Sequence, residues 1–122
     1  MSEIASEELP KKVTIIGIPY QIRWEDRPMV AGEENDDVLG LCSIPKRTIT
    51  ISLRQTLDSA ASTLVHEIWH AIFRHTGDGD RTLTEEDGAI LSELLAYSLY
   101  IENPELAEFI KAGIQSAKTA TS

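Results

Sequence analysis

The amino-acid sequence predicts an α+β fold: a small antiparallel sheet of about four strands packed against about three helices. A length of 122 residues suits one domain with one hydrophobic core. Hydrophobic residues recur at every second position before residue 54 and at every third or fourth position after residue 56. Strands followed by helices, rather than alternating with them, are typical of this class. We expect flexible tails at 1–10 and 116–122 and one domain over 11–115.

The first strands form a predicted hairpin. Val13 and Ile15 precede a turn at "GIP", after which Tyr20, Ile22 and Trp24 alternate with polar residues. This alternation indicates two strands that each bury one face.

A second β region follows a charged loop over residues 25–37. Residues 38–44 and 48–53 are hydrophobic segments separated by the turn residues 45–47, which predicts another pair of strands. In the second segment, hydrophobic side chains alternate with Thr and Ser and are expected to face one way: Ile49, Ile51 and Leu53.

Three helices account for the rest of the chain. The first begins after Thr56 or Asp58, either of which is a suitable N-cap, and ends before Gly77. Its hydrophobic residues form one stripe: Leu57, Ala60, Ala61, Leu64, Ile68, Ala71 and Ile72. A second helix is expected from Thr84 to residue 101, and a third begins at the Asn103–Pro104 pair.

The composition restricts the possible partners and the cellular location. The net charge of −9 disfavours nucleic acid and anionic membranes, because like charges repel. No hydrophobic run is long enough to span a bilayer, and the acidic start of the chain does not resemble a signal peptide. The single cysteine, Cys42, excludes an internal disulfide and suits a reducing compartment. We therefore expect a cytoplasmic protein.

The segment "HEIWH" at residues 66–70 carries the chemistry of the predicted first helix. His66 and His70 are four residues apart, so both imidazoles project from one face and can hold one Zn²⁺ ion. Glu67 follows His66 directly, so its side chain points about 100° further around the helix axis. It would lie beside the ion, where it can deprotonate a metal-bound water. The alternative is a pair of core histidines bonded to backbone carbonyls, with Glu67 at the surface.

A zinc site of this kind needs a third protein ligand and one open position. His75 points about 140° away from His70 on a continuous helix and is a poor candidate. Phe73 and Thr76 stand where metzincins require Gly and His, which excludes that class.

The second helix offers a better third ligand. Glu93 is the one charged residue in the thirteen-residue run "AILSELLAYSLYI", and a carboxylate on a core-facing helix needs solvent or a strong partner. We expect Glu93 to bind the metal, with Glu85, Glu86 and Asp87 as alternatives. The remaining interpretation of Glu93 is an exposed residue on the polar side of its helix.

These motifs, "TLVHEIWHAI" and "LTEEDGAILSELLAYSLYIENPEL", resemble the small HExxH zincins of phages and prophages. Those proteins are related to ImmA/IrrE-type metallopeptidase domains and, more distantly, to gluzincins. The resemblance implies that His66, His70 and Glu93 bind zinc and that Glu67 is the catalytic base. It also implies an edge strand near Thr48–Leu53 that binds an extended peptide by adding it to the sheet.

The sequence departs from the gluzincin pattern at one place and leaves another role open. Tyr97 stands where larger gluzincins carry an Asp that orients a histidine. The group that would stabilise an oxyanion is not identified, and Tyr97, Tyr100 and His75 are the candidates.

The leading hypothesis is a zinc-dependent metallopeptidase that acts on a peptide or protein substrate. A second hypothesis is a zinc-stabilised regulatory or interaction module with little or no peptidase activity. A third is a fold without metal, in which both histidines belong to the core.

Overall fold

The computed structural model describes residues 9–26, 30–31, 36–76 and 85–121, and it has the predicted α+β fold. The four strands of the main sheet are β1 (Lys12–Ile15), β2 (Ile18–Glu25), β5 (Gly40–Ser43) and β6 (Thr48–Ser52). A two-stranded ribbon, β3 (Val30–Ala31) and β4 (Asp36–Asp37), lies within the segment predicted to be a loop. The helices are α1 (Leu57–Thr76), α2 (Glu85–Tyr97) and α3 (Pro104–Thr121), and a π-helical segment, Ser98–Glu102, follows α2.

The first two strands form the predicted hairpin. Both residues of its two-residue turn have positive φ, 42° at Ile16 and 83° at Gly17, as a type I′ turn requires. Glycine adopts this conformation freely, whereas a β-branched residue such as Ile16 is strained in it.

The sheet is mixed, which corrects the prediction of an antiparallel sheet. Its order is β1-β2-β6-β5, and β2 pairs with β6 in parallel while the other two pairings are antiparallel. After β2 the chain returns along the far edge as β5 and then enters the sheet as β6, between β5 and β2. Alternation of hydrophobic residues indicates which face is buried but not which strand is the neighbour.

The N-terminal part of α1 follows the predicted cap and stripe. The Thr56 hydroxyl accepts a hydrogen bond of 3.4 Å from the backbone N–H of Ser59, as an N-cap residue does. Most of the predicted stripe is buried: Ala60, Ala61, Leu64, Ile68, Ala71 and Ile72. The helix packs on β1, β5 and β6 and against α2 and α3, so it lies between the sheet strands and the other two helices in the contact network.

The structure describes part of each of the two predicted tails. Leu9 is buried, and the carbonyl oxygen of Pro10 accepts a hydrogen bond of 2.8 Å from Trp24 Nε1, so both residues belong to the folded domain. Residues 1–8 lie outside the described part of the chain. The helix α3 continues to Thr121, so most of the predicted tail at 116–122 is helical.

None of the described helices is both long and hydrophobic enough to cross a bilayer.

A cluster of polar side chains, which we call the β1 clamp, joins the hairpin to the end of the π-helical segment. It consists of Thr14, Ser98, Glu102 and Asn103. The Asn103 amide donates to the carbonyl oxygens of Thr14 (2.6 Å) and Ser98 (2.7 Å) and accepts from the N–H of Thr14 (2.8 Å). The Glu102 carboxylate accepts from the two turn amides, at 2.8 and 2.7 Å. The clamp therefore holds β1 and its strained turn against the helical side.

Candidate metal centre

His66 and His70 lie together on an exposed side of α1. Their Nε2 atoms are 3.0 Å apart, and their rings are nearly perpendicular, with centroids separated by 4.5 Å. Both side chains are exposed, so the alternative in which they are core histidines is wrong. A spacing of four residues on a continuous helix explains why the two rings meet.

Glu67 lies beside the histidines but is buried, with 6% of its surface exposed. Of the residues that the structure describes, none forms a hydrogen bond or ion pair with its carboxylate. Burial raises the pKa of Glu67, and the nearby His66 offsets part of that shift. Glu67 follows Leu64 by three positions and precedes Ala71 by four, so it shares their buried face.

Gly40 allows β5 to lie directly on this part of α1. A Cβ atom at Gly40 would stand 2.5 Å from Thr63 Cγ2 and 3.2 Å from both Cγ and Oε2 of Glu67. A distance of 2.5 Å is a clash, so a larger residue requires the strand or the helix to move. The absence of a side chain at this position therefore brings the β5 backbone to the Glu67 carboxylate.

The histidines and Glu67 open into a groove of about 960 Å³ between α1 and β5, which we call the α1–β5 groove. Its lining on the helical side of the sheet includes Gly40, Cys42, His66, Glu67, His70 and Arg74. The groove continues over β5 to residues on the other side of the sheet, among them Arg23 and Thr50.

The exposed edge beside the groove is β5, not the predicted segment Thr48–Leu53. Thr48–Ser52 forms β6, which is paired on both sides, and so that part of the prediction is wrong. β5 lies at the end of the sheet, and no described strand pairs with its outer edge. An edge strand carries backbone donors and acceptors that an added strand can bind.

Two further titratable side chains have shifted pKa values in the groove. Burial and, to a smaller extent, the Glu67 carboxylate raise the pKa of the Cys42 thiol to about 11, although the positive charge of Arg74 lowers it. Burial lowers the pKa of His70, and electrostatic repulsion by His66 and Arg74 lowers it further. A lowered pKa favours the neutral form of His70, which is the form that binds metals.

No third ligand is placed beside the histidines in the described part of the chain. Among these residues, no group of three or more His, Cys, Asp or Glu side chains is positioned to hold a metal ion. Glu93 lies on α2 with its side chain exposed, so its role as a ligand stays a prediction. Its alternatives Glu85, Glu86 and Asp87 open α2, and their side chains lie outside the described part.

The three candidates for oxyanion stabilisation are not among the residues that line the groove: Tyr97, Tyr100 and His75. Tyr97 and Tyr100 are exposed on the surface. His75 Nε2 lies 2.7 Å from the Tyr20 hydroxyl and 3.2 Å from Arg47 Nη1. Arginine only donates, so Nε2 accepts and His75 is neutral, which agrees with a pKa lowered by burial and by Arg47.

No protein family, curated protein or solved structure matches this chain. The fold and the geometry of the groove are therefore the basis for any functional proposal.

Sequence reasoning missed two residues of the groove. Gly40 carries no signal of its close approach, whereas Arg74 could have been found, because it stands four residues after His70 on the same helical face.

Proposed function

We propose that this protein is a zinc-dependent metallopeptidase with its active site in the α1–β5 groove. The observation that carries the proposal is the pair of Nε2 atoms 3.0 Å apart beside a buried Glu67 that has no described partner. Buried carboxylates are normally bonded or paired, and exceptions are concentrated at functional sites. A cytoplasmic location remains part of the same expectation.

The two histidines fit the requirements of zinc. Two nitrogen ligands at about 2.0–2.1 Å in a tetrahedral site lie about 3.3 Å from each other, close to the 3.0 Å between His66 and His70. Two neutral imidazoles with both lone pairs directed at the same point repel each other unless a proton or a cation lies between them. His66 and His70 would hold the ion, and Glu93 remains the predicted third ligand.

The residues of this chain would act on a peptide as follows. Bound zinc supplies a Lewis acid that lowers the pKa of water and polarises a carbonyl group. The Glu67 carboxylate accepts a proton from the attacking water and passes it to the leaving amine. Burial raises the pKa of Glu67 above its ordinary value, which makes the carboxylate a stronger base for the first proton transfer. The outer edge of β5 binds the peptide backbone and keeps it extended beside Glu67.

Metal stoichiometry and peptide hydrolysis test this proposal together. We expect one zinc per chain in the wild type and a strongly reduced zinc content in His66→Ala and His70→Ala. His75→Ala is the matched control, because it removes a histidine from the same helix outside the groove and should leave the zinc content unchanged. Glu93→Gln should reduce zinc affinity if Glu93 is the third ligand.

Glu67→Gln then separates binding from chemistry. It should keep the zinc and lose hydrolysis of a pool of unstructured peptides, measured by mass spectrometry of the cleavage products. Full activity in zinc-loaded Glu67→Gln would contradict the role of Glu67. A wild-type protein that binds no zinc after reconstitution would contradict the whole proposal.

A zinc-stabilised interaction module is the second candidate. It is favoured by one observation, namely that the described residues include no group of three or more metal-binding side chains and leave Glu93 exposed. Such a module would bind zinc and a partner without Glu67-dependent cleavage. Detection of cleavage in the wild type and its loss in Glu67→Gln would exclude this candidate.

A further inference from the structure

The α1–β5 groove carries unlike charges at its two ends. At the Gly40 end, Glu67 lies under β5. Glu25 lies at the same end, because it pairs in register with Ser52. The N–H of Ser52 in turn donates to the carbonyl oxygen of Leu39, the residue before Gly40. Both acidic residues of the described lining therefore belong to the end of the groove where β5 begins.

The opposite end, where β5 ends at Ser43, is basic. Lys46 lies in the turn after β5, and its backbone N–H donates to the Ser43 hydroxyl at 3.3 Å. Arg74 stands one helical turn beyond His70, on the same side of α1, and it is exposed. It forms no ion pair with any residue that the structure describes.

Arg74 lies at this end, because it lines the groove together with Ser43 and Lys46. The next turn residue, Arg47, lies 3.2 Å from His75, which directly follows Arg74 on α1 but lies outside the groove lining. The charge of Arg74 is also close enough to Cys42, on β5, to lower the pKa of its thiol. The guanidinium therefore lies near the last residues of β5 and beside the histidine pair.

We propose that Arg74, assisted by Lys46, selects an acidic side chain in a peptide that lies extended along β5. This inference rests on the proposed peptide-binding function and gives its substrate class: a peptide with a Glu or Asp at the position beside Arg74. The Arg74 guanidinium has no ion-pair partner among the described residues, and a guanidinium can bind a carboxylate through two parallel hydrogen bonds.

The charge of the whole molecule sharpens this selectivity. The chain has a net charge of −9, so an acidic peptide is repelled by most of the surface. At the Gly40 end, Glu67 would also disfavour an acidic residue. An acidic side chain is therefore favourable at one position along β5 and unfavourable at the other end, which gives the peptide a fixed position in the groove.

A charge-swap experiment tests the proposal. The probes are synthetic peptides of about eight residues, enough to pass the four residues of β5 with a margin on each side. Each peptide carries one Glu at successive positions in a background of Ala, Thr and Val, and a Gln peptide matches each Glu peptide. Dissociation constants are measured by NMR titration of the zinc-loaded full chain, which does not require turnover.

We expect the Glu peptide to bind about three- to tenfold more tightly than its Gln counterpart at one or two adjacent positions, and less so in high salt. Arg74→Gln should abolish this preference, and Arg74→Glu should transfer it to the Lys peptide. Arg54→Glu is the control, because it makes the same change in charge at an exposed arginine outside the groove lining and should keep the Glu preference. Thermal unfolding confirms that each variant is folded.

Equal binding of Glu and Gln peptides by the wild type would overturn the inference, as would a Glu preference that survives in Arg74→Gln. Failure of every peptide to bind would overturn it as well. A Glu preference that depends on Arg74 but is accompanied by no cleavage would support the inference and contradict only the peptidase activity. The two proposals therefore fail in different ways.

Discussion

The β1 clamp and the α1–β5 groove both bring polar side chains into buried positions, but they differ in how those side chains are bonded. In the clamp, Asn103 is 3% exposed and forms three hydrogen bonds, and each carboxylate oxygen of Glu102 accepts a backbone N–H. In the groove, Glu67 is about as deeply buried and has no partner among the described residues.

This difference separates a structural role from a proposed functional one. A buried polar group that is fully bonded within the chain holds two segments together and has no remaining capacity for a ligand. A buried carboxylate without a partner destabilises the fold, and such a cost is typical of sites that bind or transform something. Substitutions in the clamp should therefore destabilise the protein, whereas removal of the charge in the groove should stabilise it.

The largest effect is expected for Asn103→Ala. It removes all three side-chain hydrogen bonds of Asn103, so the N–H of Thr14 loses this partner and the C=O of Thr14 keeps the hydrogen bond from the Ser98 hydroxyl. We expect the free energy of unfolding to fall by about 2–4 kcal/mol in urea denaturation, because each stranded buried group costs about 1–3 kcal/mol. Glu108→Ala, at an exposed site on α3, should change it by less than about 0.5 kcal/mol. A loss no larger than in that control would show that the clamp contributes little.

Gly40→Ala should have the next largest effect, about 1–3 kcal/mol of destabilisation, because its Cβ would clash with Thr63 Cγ2. In an open strand the same change is neutral or stabilising, since alanine restricts the unfolded chain. Thr63→Ser removes the clashing methyl group and keeps the hydroxyl that donates to Gln55. The double variant should therefore recover most of the loss in thermal unfolding. Independent, additive effects of the two changes would contradict this account of the groove.

Glu67→Gln should stabilise the metal-free protein at neutral pH by about 1–2 kcal/mol, because a neutral amide is cheaper to bury than an unpaired charge. The measurement is chemical denaturation in the presence of a chelator. Glu93→Gln is the matched control at an exposed glutamate and should have little effect. Destabilisation by Glu67→Gln would mean that the carboxylate has a stabilising partner and that the contrast with the clamp does not hold.

The smallest effect is expected at His75, outside both regions. Burial and Arg47 lower its pKa, so the native state favours the neutral imidazole more than the unfolded state does. This contribution to stability is fully present above the ordinary pKa of about 6.5 and is lost as the pH falls below it. Unfolding at about pH 7.5 and 5.5 should show a weaker pH dependence in His75→Gln than in the wild type. If the pH dependence of stability is the same in His75→Gln and the wild type, it arises from other titratable groups.

The sequence was sufficient to predict the elements but not their neighbours. Periodicity identified α1 and the β1–β2 hairpin because burial repeats along each element. The parallel pairing of β2 and β6, and with it the edge position of β5, depends on contacts between distant segments that no local pattern encodes. Asn103 was interpreted as the start of α3, and its bonds to Thr14, 89 residues away, were not predicted.

The candidate site was predictable where it depends on the period of a single helix and not where it depends on contacts between helices. The spacing of His66 and His70 fixes their proximity on any regular helix, and the structure places their nitrogen atoms together. The burial of Glu67 could also be predicted from the sequence, because its position lies on the hydrophobic stripe of α1 between Leu64 and Ala71. A third ligand depends on how α2 approaches α1, and the helical period of α2 alone does not determine that approach.

The β1 clamp also bears on how the chain folds during synthesis. Residues 14–17 are held by side chains 85–89 positions later in the chain. At about 5–20 residues per second, roughly 4–17 seconds separate the synthesis of the turn from that of Glu102 and Asn103. During that interval the strained Ile16 turn has no carboxylate to hold its amides. The hairpin emerges from the ribosome before the helical residues that hold it, so it reaches its final geometry only after Glu102 and Asn103 have been made.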